Sequence, residues 1–266
     1  MKEDAAVAKS DAQTAVEIRH CESIEEYKEC VELERLTWGP SITVPTSIFV
    51  VAHHTGGQIL GAYEGGKMVG FTLAMAGTHN GKLFLHSHMT AVIPEYQNRG
   101  VGRKLKLFQR VDALDRGIPV VEWTFDPLEL KNARFNIARL GAIARRFIPN
   151  CYGITESPVH SGLPTDRLVA EWWLDSERVK SILAGKTNPV VADAKRLSLP
   201  AEIGKLKAED RAAGAGIQTV MREQFDEYFA RRYVVTDVEF GAKTVDYVLE
   251  PAGVVAGLRL PDSNKQ

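Results

Sequence analysis

The chain has 266 residues with 33 basic and 34 acidic side chains, a formal net charge of −1, 44% hydrophobic and 25% charged residues. That is the make-up of an ordinary globular protein with enough apolar residues for a sizeable core. It lacks the basic stripe of a nucleic-acid binder and any apolar run long enough to span a bilayer. Three cysteines, Cys21, Cys30 and Cys151, form neither a C-x-x-C pair nor zinc-type spacing, so no metal is implied and a reducing cytoplasm is expected.

Residues 1–14 are polar and Ala-rich without a signal-type apolar stretch, and are read as a flexible N-terminus. A short strand is expected over 15–21. Ser23 and Glu26 have capping-box spacing for a helix over 24–36. Trp38-Gly39-Pro40 ends that helix, and a second short one is expected at 47–53. Three strand-like runs follow, 58–64, 68–76 and 83–92, joined by Gly65-Gly66 and Asn80-Gly81. Such two-residue connections predict an antiparallel meander.

After the third run comes Val92-Ile-Pro-Glu-Tyr-Gln97-Asn98-Arg99-Gly100-Val101-Gly102. The apolar strand ends in a Gly-rich turn that opens at once into an amphipathic helix, with Val101, Leu105, Phe108, Val111 and Leu114 on one face. This arrangement aims several backbone N–H groups at one spot, at the positive end of a helix dipole, and suits a diphosphate. Arg99, Arg103 and Lys104 stand in the first turn, placed either to pair with phosphate charge or to form a solvated basic face.

A fifth strand is expected over 119–125, a helix over 130–140, and strands over 146–152 and 167–174. Residues 176–205 read as a mixed linker. A helical stripe (Ile217, Val220, Met221, Phe225, Tyr228) and a hairpin, 233–240 with 243–249, complete the chain. The division expected is a domain over 15–175 with an extension, 176–266, packed on it.

This element order, with Gln97-Asn98-Arg99-Gly100-Val101-Gly102 as the Gln/Arg-x-x-Gly-x-Gly/Ala loop, resembles the Gcn5-related N-acetyltransferase (GNAT) superfamily. The resemblance implies an α/β (α+β) fold. Its central sheet is mixed but mostly antiparallel, with splayed strands 4 and 5 and helices on both faces, and here it carries an extra C-terminal helix and hairpin. It also implies that Gln97, Asn98, Arg99, Gly100, Val101, Gly102 and Arg103 hold the pyrophosphate of an acyl-coenzyme A. Backbone around Met89–Val92 would bond the pantetheine arm, with Asn132 and Asn136, one turn apart, beside it.

The family's usual Tyr acid, four positions before Gly141, is replaced by Ile137. Tyr152 is the substitute candidate, with a core-edge aromatic as the alternative. For the general base, strand alternation sets Glu122 on one face with Thr124 and Asp126, and a Glu in an apolar strand needs a partner or a task. Glu122 therefore leads, His88 follows, and His86 is a further candidate. By the family pattern the acceptor loops are 38–45, with Trp38, and 153–166, with His160. Arg167, just beyond, could grip a substrate carboxylate or form a surface ion pair.

The activity so implied is direct transfer of an acetyl or other short acyl group to the primary amine of a small metabolite such as an amino acid. Some relatives with a similar extension resemble N-succinyltransferases of amino acids, so the resemblance implies acetyl-coenzyme A or, alternatively, succinyl-coenzyme A as donor. No nucleic-acid or membrane partner is expected, and a homodimer stays open. The alternative is a regulatory module that senses acyl-coenzyme A without turnover.

Overall fold

The computed structural model describes residues 15–40, 43–154 and 162–255. In chain order the elements are β1 (Glu17–His20), α1 (Ile24–Trp38), α2 (Thr46–His54), β2 (Gln58–Glu64), β3 (Lys67–His79) and β4 (Lys82–Val92). Next come α3 (Val101–Asp115), β5 (Val120–Phe125), α4 (Leu130–Arg134), β6 (Ile143–Ile148) and β7 (Arg167–Trp173). The remainder is α5 (Glu177–Leu183), β8 (Lys195–Pro200), α6 (Ile203–Glu209), α7 (Arg211–Ala230), β9 (Tyr233–Phe240) and β10 (Thr244–Pro251). The capping box forms as the spacing requires: Ser23 Oγ accepts from the Glu26 N–H, and the Glu26 carboxylate accepts from the Ser23 N–H.

All ten described strands join one sheet, ordered β1-β2-β3-β4-β5-β7-β6-β9-β10-β8. The β4–β5 pair alone is parallel among them, and it is brief: Leu85 opposite Val121 and His86 opposite Glu122. Beyond His86, β4 runs on to Val92 while β5 turns away to Phe125. A bulge sits at the parting point. Leu73 pairs with Met89 and Ala74 with Ser87, which leaves His88 as the extra residue. A bulge increases local twist and redirects a side chain, and here it lies where the two strands separate.

Helices cover both faces. Phe71 meets Phe49 of α2, with ring centroids 6.1 Å apart. The next residue, Thr72, is bonded to Ser87, whose hydroxyl accepts from Lys106 of α3. Successive strand residues point to opposite faces, so α2 and α3 lie on opposite sides. Phe49, Phe71 and Leu73 are fully buried, each contributing about 1.5–3 kcal/mol of apolar burial.

The structure differs from the sequence reading in three places. The expected linker 176–205 contains α5 and β8, and β8 pairs with β10 at the sheet edge; its apolar positions are too few to stand out until β10 covers them. The helix expected over 130–140 is α4 followed by a π-helical turn, Phe135–Arg139, with Leu140 N–H bonded to Phe135 O at 3.0 Å. The sixth strand lies at Ile143–Ile148 rather than 146–152, because the chain turns at Asn150, whose φ is +45°, and at Gly153. Among the described residues no helix is long and apolar enough to cross a membrane.

Candidate active site

A cleft of about 630 Å³ opens where β4 and β5 part. One end is built by the turn between β4 and α3. Asn98, at φ +59°, and Gly100, at φ +82°, reverse the chain so that α3 begins at Val101. For Gly100 the left-handed backbone is a reason to be glycine. Gln97 ties the turn to the strand, its side-chain amide donating to Val92 O at 2.9 Å. The first helical N–H to find a backbone acceptor is that of Lys104, on Gly100 O. The N–H groups of Val101, Gly102 and Arg103 have no acceptor inside the helix, as in any first turn.

Gly102 lines the cleft, and a Cβ built on it meets no protein atom within 4 Å. Open space beside first-turn amides at a helix start suits a diphosphate. The pyrophosphate of an acyl-coenzyme A therefore fits these residues. The side chains of the neighbouring loop residues point elsewhere. Val101 is buried in the core, Arg103 is exposed, and Arg99 stacks over the Tyr96 ring at 5.1 Å. With Lys104, Arg99 lines a neighbouring hollow of about 400 Å³.

Along the cleft wall stand Asn132 and Asn136, the amide of Asn136 donating to Asn132 Oδ1 at 3.4 Å. Asn136 is buried and belongs to the π-turn, a local deviation often retained at functional sites. Ile137, at the position of the expected acid, is completely buried among core side chains and lies outside the cleft lining.

The other end is assembled from distant segments: Thr37 and Trp38 closing α1, His88 on the bulge, Thr124 and Asp126 after the parting of β5, Tyr152, and Arg167 opening β7. The Tyr152 hydroxyl lies 2.9 Å from Thr124 Oγ1, and the Arg167 guanidinium lies 5.4 Å from the Tyr152 ring centroid. Arg167 Nη1 donates to Asp166 O and stands 4.0 Å from Asp126 Oδ2. Partial burial lowers the His88 pKa below the ordinary histidine value, so its ring is neutral at neutral pH. Neighbouring His86 falls further, to about 4, chiefly through burial, with the charges of His88, Lys106 and Arg146 adding.

Glu122 is not in the cleft lining. Its carboxylate accepts from Arg146 Nη2 at 2.7 Å and lies 3.4 Å from His79 Nε2. Alternation does put it on one face with Thr124. It sits level with His86, however, where β4 and β5 are still paired, so the gap opens beyond it. The partner that a Glu in an apolar strand needs is Arg146. His160 lies outside the described residues.

Two parts of the site escaped the sequence reading. Lys106 lines the cleft from α3, one turn after Gly102, and is 4% exposed; the signal was its i+4 spacing from that glycine. From the extension, Lys207 of α6 bonds Glu129 Oε1 at 2.6 Å and stands 4.0 Å from Asp126 Oδ2. Arg222 of α7 bonds Asp166 Oδ2 at 2.8 Å. Nothing local in sequence connects these pairs.

Residues 14–141 match the acetyltransferase (GNAT) family. The search of curated proteins gives no match. Among solved structures, smu.2055 from Streptococcus mutans UA159 superposes with a TM-score of 0.50 at 17% identity, covering 60% of this chain and 99% of that one. The yncA structure from Salmonella typhimurium with its cofactor acetyl-CoA gives 0.49 at 19% identity, covering 61% and 95%. Ard1 from Thermoplasma volcanium gives 0.49 at 14%, covering 59% and 97%. The first shares the fold, and β8 to β10 with their helices lie beyond the matched family segment. The segment that holds the strand splay and the glycine turn is a GNAT acetyltransferase domain, and the chain is a GNAT-type N-acyltransferase.

Proposed function

We propose that this enzyme moves a short acyl group from an acyl-coenzyme A directly to the primary amine of a small metabolite carrying a carboxylate, such as an amino acid. The observation that carries this reading is the cleft itself: one passage runs from the amides at the start of α3 to a polar chamber containing His88, Tyr152 and Arg167. Bound acyl-coenzyme A supplies an acyl group already activated as a thioester. The Val101, Gly102 and Arg103 amides hold the pyrophosphate, and Asn132 and Asn136 hold the arm.

An amine is protonated at neutral pH and must lose that proton to become a nucleophile. His88, neutral and facing the cleft, takes it directly or through one water. Tyr152, positioned by Thr124, presents its hydroxyl to the same chamber and donates a proton to the coenzyme A thiolate released when the amine displaces it from the acyl carbon. Arg167 orients the acceptor's carboxylate, as a guanidinium does through paired donors. Trp38 lines the same cleft.

Thiol release measured across acyl donors and an amine panel tests this. Turnover with a small amino acid, lost in His88→Gln, is expected. Turnover confined to protein N-termini would overturn the acceptor class, and coenzyme binding without turnover on any amine would leave the sensor reading.

A further inference from the structure

The reading above leaves Lys106 without a task, although it is a buried cation that lines the cleft. Its Nζ donates to Ser87 Oγ at 2.8 Å and Gln109 Oε1 at 3.0 Å, and stands 4.1 Å from the centre of the Trp123 ring. All three partners are neutral. Among the described residues no carboxylate lies within 4 Å of it. A buried ammonium is normally paired with an anion. Desolvation here is strong enough to draw its pKa down to about 7.

Its position is specific. Ser87 is the first residue of β4 beyond the β4–β5 pairing, and Trp123 is the first of β5. Lys106 therefore bridges the two strands where they part and lines the cleft there. From Val92, beside the phosphate turn, back to Ser87 is five residues of strand, roughly 17 Å, a span suited to an extended pantetheine arm.

We infer that Lys106 Nζ, with Ser87 Oγ, forms the floor of an acyl slot that recognises a terminal carboxylate. The preferred donor is then a coenzyme A thioester of a short dicarboxylic acid. This rests on the coenzyme reading and sharpens it. A four-carbon diacid chain would complete the missing ion pair, whereas an apolar chain of equal length would leave the ammonium beside hydrocarbon.

The test is calorimetry on the full chain with free coenzyme A, acetyl-, butyryl- and succinyl-coenzyme A. Succinyl-coenzyme A should bind at least about tenfold more tightly than butyryl-coenzyme A, the scale of one charge-assisted contact. That preference should vanish in Lys106→Met while affinity for free coenzyme A is retained. Ser87→Ala, which removes only a hydroxyl, should narrow the same ratio and carries the comparison if Lys106→Met does not fold. Equal or weaker binding of succinyl- than butyryl-coenzyme A by the unmodified protein would overturn the acyl-slot assignment alone. Absence of heat with every ligand, free coenzyme A included, would overturn the coenzyme reading beneath it.

Discussion

The two ends of the cleft are made in different ways. The coenzyme end is nearly continuous in sequence: Val92, Gln97 and Gly102 fall within eleven residues, and the backbone conformation at Asn98 and Gly100 creates the amide cradle. The acceptor end draws on α1, the β4 bulge, β5, the turn after β6 and β7, and is braced from outside by Lys207 and Arg222. A ligand recognised through backbone amides needs only a local turn, whereas one recognised through side chains needs the tertiary fold to collect them.

If that contrast is right, damage at the two ends should separate cleanly. The largest effect is expected from His88→Gln, which should lower kcat by about 10²–10⁴-fold, the usual range for a general base, while calorimetry shows donor binding unchanged. In the unmodified enzyme the rate should fall only as pH drops through the lowered His88 pKa, so the acid limb of the profile should lie below the usual histidine range. A limb at or above that range would remove His88 from the role.

At the other end, Gly102→Val should weaken coenzyme A by about 30- to 100-fold, corresponding to ~2–3 kcal/mol of steric conflict with the ligand. Its melting temperature should hardly move, because a Cβ at this position meets no protein atom within 4 Å. Loss of folding with loss of binding would show that the glycine serves packing instead.

Lys207→Met tests the brace. It leaves the Glu129 and Asp126 carboxylates without that cation, and should raise the acceptor KM several-fold and cost about 2–3 kcal/mol of stability. Coenzyme A affinity should be unaffected.

Glu34, fully buried on α1, offers a subtler probe of the acceptor loop. Its Oε2 accepts the Val44 N–H at 2.8 Å, and its Oε1 has no partner. Burial raises its pKa to about 7. The folded chain thus holds this proton more tightly than the unfolded chain, and stability drops as pH rises from the ordinary carboxylate range to about 7. Glu34→Gln should therefore gain roughly 2 kcal/mol at pH 8 and little at pH 4, read as melting temperature against pH. A parallel pair of curves would refute it.

The smallest catalytic effect is expected from Glu122→Gln. With its carboxylate committed to Arg146, kcat should change by less than about threefold, while stability falls by about 1–2 kcal/mol.

What the chain reveals locally is considerable. The capping box at Ser23, the tight turns at Gly65-Gly66 and Asn80-Gly81, the α3 stripe and the Gln97–Gly102 turn all depend on interactions spanning a few residues, so they can be read without the fold. The phosphate cradle belongs to this class because main-chain amides do the binding. Glu122 and Lys106 do not. Strand alternation identified the face of Glu122 but not its height relative to the splay, which the β4–β5 register decides, nor Arg146 waiting across β7. The spacing of Lys106 from Gly102 was visible, but its burial among neutral groups exists only once β4 and β5 close around it. Likewise β8 gained its identity from β10, and Lys207 its place at Asp126 from α6 packing back over the end of β5. Short-range geometry is written in neighbouring residues, while burial, charge pairing and the shape of the acceptor chamber arise from contacts between segments far apart in the chain.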